Sequence, residues 1–205
     1  MHLVIRALAA VAASVALALA VVRPARAHCD TMDGPAVADG RRALDTGEAN
    51  HALKWVDEAH EAEVREAFEL ARRVRTLGDD ARELADRYFL DTLVRLHRAG
   101  EGEPFTGIRP SAVPIDAKVV AADRCIAEGD LAALEALVPG EQLPELRTRF
   151  DRVLATRDFD LDDLAAARAH IAAYVAFFHL AEGEEHGHAH GHAPVHEHGA
   201  HHGHH

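Results

Sequence analysis

The sequence predicts an all-α fold: a helical bundle built from two repeats of about 82 residues each, followed by a disordered His-rich tail. Three observations carry this expectation. Apolar residues recur three and four apart, as in Leu84, Tyr88, Leu93 and Leu96 or in Leu164, Ile171, Val175 and Phe178, and no stretch alternates as a strand would. Acidic starts (Asp79/Asp80, Asp160) and glycine stops (Gly47, Gly100, Gly129, Gly183) punctuate those stripes. The chain also matches itself without a gap when its second half is laid over its first. Val119 then falls on Val37, Arg124 on Arg42, Gly129 on Gly47, Phe150 on Phe68, Asp162 on Asp80 and His179 on His97. Coincident stops, rings and histidines are what a duplicated unit requires.

Residues 1–27 read as a cleaved secretory leader. Arg6 supplies positive charge, Ala7 to Val22 an apolar run, and Ala25-Arg26-Ala27 a small-x-small cleavage site. The run is shorter than the roughly 20 residues that span a bilayer. No other segment is expected to cross a membrane, so the product is expected to be exported, in the periplasm or outside the cell. Residues 28–183 form the helical domain, with halves at about 36–101 and 118–183 joined by a linker at 102–117. Each half carries a first helix (36–46 or 118–128), a short one (49–56 or 131–138) and a long pair. The long pairs are 61–76 with 80–99 and 141–157 with 161–182. Short connections make each pair an antiparallel hairpin, and the two hairpins are expected to share a four-helix core. Trp55, Phe68, Phe89, Phe150, Phe159 and Phe178 are expected in that core, and His51, His60 and His170 on the surface. Residues 184–205 are mostly Gly, His and Ala and cannot bury a core.

The formal charge is −12, and −15 once Arg6, Arg23 and Arg26 leave with the leader. Such a balance argues against nucleic acid, whose phosphates select basic faces. With 48% apolar residues the chain can bury an ordinary core. No triad setting surrounds Thr31, Ser111 or other hydroxyls, and no glycine-rich phosphate loop follows a strand. Histidine is the anomaly, with 17 in the chain and ten in its last twenty residues.

Cleavage after Ala27 would leave His28 with a free α-amine, followed at once by Cys29. An amine, a backbone amide, an imidazole and a thiolate form a compact N/S set that suits copper or nickel. Asp30 and Asp33 could support those ligands or add to them. His97 and His179 are a second candidate pair. Each follows an inward apolar stripe and stands about one turn from a helix end. They could converge as metal ligands or simply cap the helix ends. Glu101 and Glu182, about one turn beyond, are their candidate carboxylate partners. Cys29 could instead form a disulfide with Cys125, since export places both in an oxidising compartment. The tail histidines His186, His188, His190, His192, His196, His198, His201, His202, His204 and His205 could hold nickel, copper or zinc at weak exchanging sites, or serve as a charge tail at low pH.

The start His28-Cys29-Asp30 resembles that of mature nickel superoxide dismutase, whose hook holds nickel on a four-helix bundle. The hook's second cysteine falls here at Asp33 and its tyrosine at Ala36. A broader resemblance covers Ala27 to Pro35, the loop His97 to Gly107 and the segment Tyr174 to His179. These are similar to a family of exported bacterial helical proteins of unassigned function, which implies a common fold and residue set.

Together these readings predict an exported protein that binds, sequesters or delivers copper or nickel. Its defined site would use His28, Cys29, His97 and His179, and the tail would recruit metal. A redox metalloenzyme of superoxide-dismutase type and a structural protein with a Cys29–Cys125 bridge are the alternatives. The expected partners are transition-metal ions; a homodimer is compatible with the acidic bundle, and no membrane insertion is expected after cleavage.

Overall fold

The computed structural model describes residues 29–111 and 116–183; residues 1–27, expected to be a leader, His28 and the His-rich residues 184–205 lie outside the described residues. Those residues form eight α-helices and two short 3-10 turns. In chain order they are α1 (Pro35–Thr46), α2 (Asn50–Leu53), the turn Glu58–His60, α3 (Glu61–Val74) and α4 (Asp79–Gly100). There follow α5 (Ala117–Glu128), α6 (Ala132–Glu135), the turn Gly140–Gln142, α7 (Leu143–Thr156) and α8 (Leu164–Glu182). No strand occurs among the described residues, so the fold is all-α, as expected.

Local chemistry sets most of the boundaries. Pro35 occupies the first turn of α1, where its missing N–H costs nothing. Gly47 ends α1 at φ 81°, and Gly129 ends α5 at φ 72°; in each case the glycine N–H donates to the carbonyl four residues back. α8 starts later than Asp160 suggests. Asp160 accepts the Asp162 N–H and opens a turn, and Asp163 is the residue whose carboxylate caps the helix through Ala166 N. One constant offset, that of Val37 from Val119, relates the bounds of α1 to α5, α2 to α6, the first 3-10 turn to the second, and α3 to α7. It holds at both ends of each. For α4 and α8 it holds at the C-terminal ends only.

The expected four-helix core is replaced by two separate clusters. In the first, Val37 and Leu44 of α1 meet Phe68 of α3 and Phe89 and Leu93 of α4. In the second, Val119 and Cys125 of α5 meet Leu146 and Phe150 of α7 and Phe177 of α8. Each hairpin thus turns its apolar face to its own first helix rather than to the other hairpin. At Gly40 the approach is closest: a Cβ there would stand 2.6 Å from a Leu90 methyl and 2.9 Å from one of Leu93. This packing also shifts the α4 stripe. Leu84 and Tyr88 are 70% and 50% exposed, while Ala85, Phe89, Leu93 and Leu96 are buried. The missed positions flank the true stripe, whose centre includes an alanine.

Helix α8 joins the two clusters. Ile171 lies in the first, Ala173, Phe177 and Phe178 lie in the second, and Tyr174 packs on both. By length and composition α8 is apolar enough to cross a membrane, contrary to the expectation that no such segment follows the leader. Much of its apolar surface is taken up by these clusters. Arg168, also on α8, donates through Nε to the Val56 carbonyl (2.8 Å) and through Nη2 to that of Leu53 (3.4 Å), and it pairs with Glu61. It therefore supplies a donor to the Val56 carbonyl, just beyond the four-residue helix α2, and a second one to the Leu53 carbonyl, which also accepts from Val56 N.

Candidate functional site

Three chain segments meet at one place: the start of the described chain, the end of α4 and the end of α8. The last turn of α4 is buried through Leu96, His97 and Arg98. His97 directs Nδ1 to the Trp55 carbonyl (2.9 Å), and its ring stands edge-on to the Trp55 indole at 5.3 Å between centroids. The indole in turn donates to Asp39 (2.8 Å), which also pairs with Lys54 (2.9 Å). With Nδ1 committed to a carbonyl, the neutral ring presents a lone pair at Nε2. That atom faces Glu101 Oε1 at 3.5 Å, and both are buried without a hydrogen-bond partner. The other Glu101 oxygen accepts from Arg98 Nη1 (2.9 Å). Arg98 also lies 3.8 Å from Glu103, and its Nε is a further buried atom with no partner.

The chain start is held by a short parallel bridge to the linker. Arg109 N donates to the Asp30 carbonyl (2.8 Å), Met32 N donates to the Arg109 carbonyl (2.9 Å), and Arg41 Nη1 reaches the Met32 carbonyl (3.0 Å). This brings Cys29 against the end of α4. From the other side α8 supplies Tyr174, Val175, Phe178, His179 and Glu182. Between them lies a cavity of about 20 Å³, lined also by Cys29, Arg98 and Glu101. That is room for one water or one ion and not for an organic substrate.

The electrostatics follow from burial among acidic side chains. Burial pushes the Cys29 thiol well above its ordinary value; Glu101 adds to the rise, Arg98 opposes it, and Glu182 and Asp30 raise it further. Burial likewise raises the Tyr174 phenol, assisted by Asp123, which accepts its hydroxyl at 3.1 Å. Cys29 is therefore a neutral thiol here, a state that a cation in the cavity would reverse.

Of the residues named from sequence, Cys29, Glu101, His179 and Glu182 line the cavity together. His97 stands behind Glu101 rather than in the wall. Asp30 is buried and paired with Arg109 (3.4 Å), and Asp33 is exposed, so neither faces the cavity. His28 and all ten tail histidines fall outside the described residues. Among the described residues, no group of three or more His, Cys, Asp or Glu is drawn tightly enough to hold a metal ion. The Cys29–Cys125 bridge is not formed: both are free thiols, Cys29 packed on the first cluster and Cys125 inside the second. Sequence reasoning missed Arg98 and the site roles of Trp55 and Tyr174. The signal for Arg98 was its spacing, three residues before Glu101 on the same helical face. His170, read as surface, is half-buried against Phe159 and Thr156, and that burial lowers its pKa.

Fold and site together define an all-helical protein whose two clusters meet at a small acidic cavity bearing a thiol and an imidazole. The chain belongs to a family described as a family of unknown function (DUF6448), which matches residues 33–180. That span includes His97, Glu101 and His179 and leaves out Cys29 and Glu182. No curated protein and no solved structure matches the chain.

Proposed function

We propose that this is an exported protein that binds a transition-metal ion, copper or nickel in the first instance, for sequestration or delivery. The observation that carries the reading is the sharing of one ion-sized cavity by Cys29, Glu101, His179 and Glu182, donors drawn from three distant segments. Cleavage after Ala27 would place the amine and imidazole of His28 beside Cys29 and add nitrogen donors to that set. His97 supports the site from behind Glu101. The tail histidines act as a weak, exchanging reservoir that loads the cavity, with zinc a further cargo for them. The constant offset between helix bounds supports an origin by duplication, in which His97 and His179 descend from one ancestral position. A redox role gains no observation of its own, since the position of a second thiolate is the exposed Asp33.

The test uses leader-free chain in which the ten tail histidines are replaced by alanine. Equilibrated with copper(II) or nickel(II) and desalted, it retains about one equivalent of metal by elemental analysis. Retention near zero for both metals would overturn the reading.

A further inference from the structure

The reading of metal binding leaves the shape of the site open, and the end of α4 supplies it. His97 Nε2 and Glu101 Oε1 are two lone-pair donors, four residues apart at the end of one helix, buried, without a hydrogen-bond partner, and 3.5 Å from each other. Two bare acceptors aimed at one another in a low-dielectric setting repel unless a proton or a cation lies between them. Donors held about 2.0–2.1 Å from one tetrahedral ion stand about 3.3–3.4 Å apart, whereas neighbouring donors of a square-planar ion stand about 2.8–3.0 Å apart. The observed gap of 3.5 Å is wider than either and lies nearer the tetrahedral one. The far sides of both groups are already arranged as metal ligands require. His97 directs its other ring nitrogen to the Trp55 carbonyl, and the other Glu101 oxygen accepts from Arg98.

We propose that His97 and Glu101 are direct ligands of a four-coordinate, zinc-type divalent ion, and that Cys29 and His179, which share the cavity wall with Glu101, close in on binding to complete the set. Glu101 thereby moves from a supporting carboxylate to a ligand. The preference shifts from the square-planar copper(II) or nickel(II) that the His28-Cys29 start suggests to a tetrahedral ion. A mixed N/O/S donor set matches zinc(II) better than copper(I), for which a carboxylate is too hard. On binding, Cys29 releases its proton to solvent and becomes the thiolate ligand, and the ion with Arg98 balances the carboxylates around the cavity.

The proposal rests on the metal-binding reading, and cobalt(II) as a spectroscopic substitute for zinc separates the two. The full chain titrated with cobalt(II) is expected to develop intense visible bands of four-coordinate cobalt together with a near-ultraviolet thiolate-to-cobalt band, and zinc(II) abolishes both. Glu101→Gln and His97→Gln each weaken cobalt binding at that site by at least about tenfold. Circular dichroism checks that each variant is folded, and Glu101→Gln carries the test if His97→Gln is not. Weak six-coordinate bands alone would overturn the tetrahedral pair. Strong bands that persist unchanged in Glu101→Gln would leave metal binding intact on other donors and sink this assignment. If the chain with alanines in place of the tail histidines retains neither copper nor nickel, the parent reading falls, whatever cobalt shows.

Discussion

Replacing Arg168 with methionine tests what fastens α8, and with it His179 and Glu182, to the half that carries His97. Methionine keeps much of the apolar stem and removes the guanidinium. The loss comprises the 2.8 Å bond to the Val56 carbonyl, the longer contact to Leu53 and the pairing with Glu61. A charged donor to a largely buried carbonyl contributes about 1.5–3 kcal/mol. The Leu53 carbonyl keeps its bond from Val56 N (3.3 Å), so little is added there. Arg168 and Glu61 are about a quarter exposed, which holds their pairing to about 0.5–1 kcal/mol. The variant should therefore lose about 2–4 kcal/mol. For a domain of this size that lowers Tm by about 4–16 °C. Urea and thermal unfolding followed by circular dichroism give both quantities, and a double-mutant cycle with Glu61→Gln isolates the ion pair. A loss below about 0.5 kcal/mol would refute the reasoning. It would mean that the apolar packing of Leu164, Ile171, Tyr174 and Val175 on the first cluster holds the two together without it.

Three further predictions concern packing, proton linkage and the site. Gly40→Ala improves helix propensity by about 1 kcal/mol but drives a Cβ into Leu90 and Leu93, an overpacking cost of about 1–3 kcal/mol, so a net loss in urea unfolding is expected; a gain in stability would show that those side chains yield freely. The folded chain keeps the raised Cys29 proton where the unfolded chain, with a thiol near 8.5, gives it up, so stability falls as pH rises past about 8.5. Cys29→Ala should flatten that alkaline limb, and an unchanged slope between about pH 8 and 10 would contradict the burial of the thiol. Trp55 is the chain's single tryptophan and stands edge-on to His97, so copper(II) at the site should quench its fluorescence. Equal quenching in Glu101→Gln would place the bound metal elsewhere.

Signals confined to a few neighbouring residues were the most legible. Gly47 and Gly129 terminate their helices because a left-handed residue frees the glycine N–H to satisfy an open carbonyl, and that requirement is local. The candidate site was partly legible for a related reason. Glu101, His179 and Glu182 were named from helix-end positions and Cys29 from the expected chain start, and helix ends are where this fold brings its segments together. Asp30 and Asp33 were named on the same grounds, but one is taken by Arg109 and the other faces solvent. Arg98 illustrates the opposite limit. A charged residue in a last turn reads as solvated, and only Glu101 and Glu103, beyond the helix end, make its burial tolerable.

What the sequence by itself determined is the all-α class, the bounds of most helices and the short list of donor residues. Each depends on periodicity, caps or side-chain chemistry that acts within a turn or two of chain. What only the tertiary structure decided is which face each helix buries and which donors meet. Leu84 and Tyr88 belong to a helical stripe and still lie outside, because Gly40 lets α1 settle on Phe89 and Leu93 instead. His97 and His179 occupy matching positions in the two halves, and it is packing that sets the Trp55 carbonyl behind His97 and a Glu101 oxygen in front of it. Those differences arise from contacts between segments far apart in the chain, where the free energy depends on the neighbour that packing brings up.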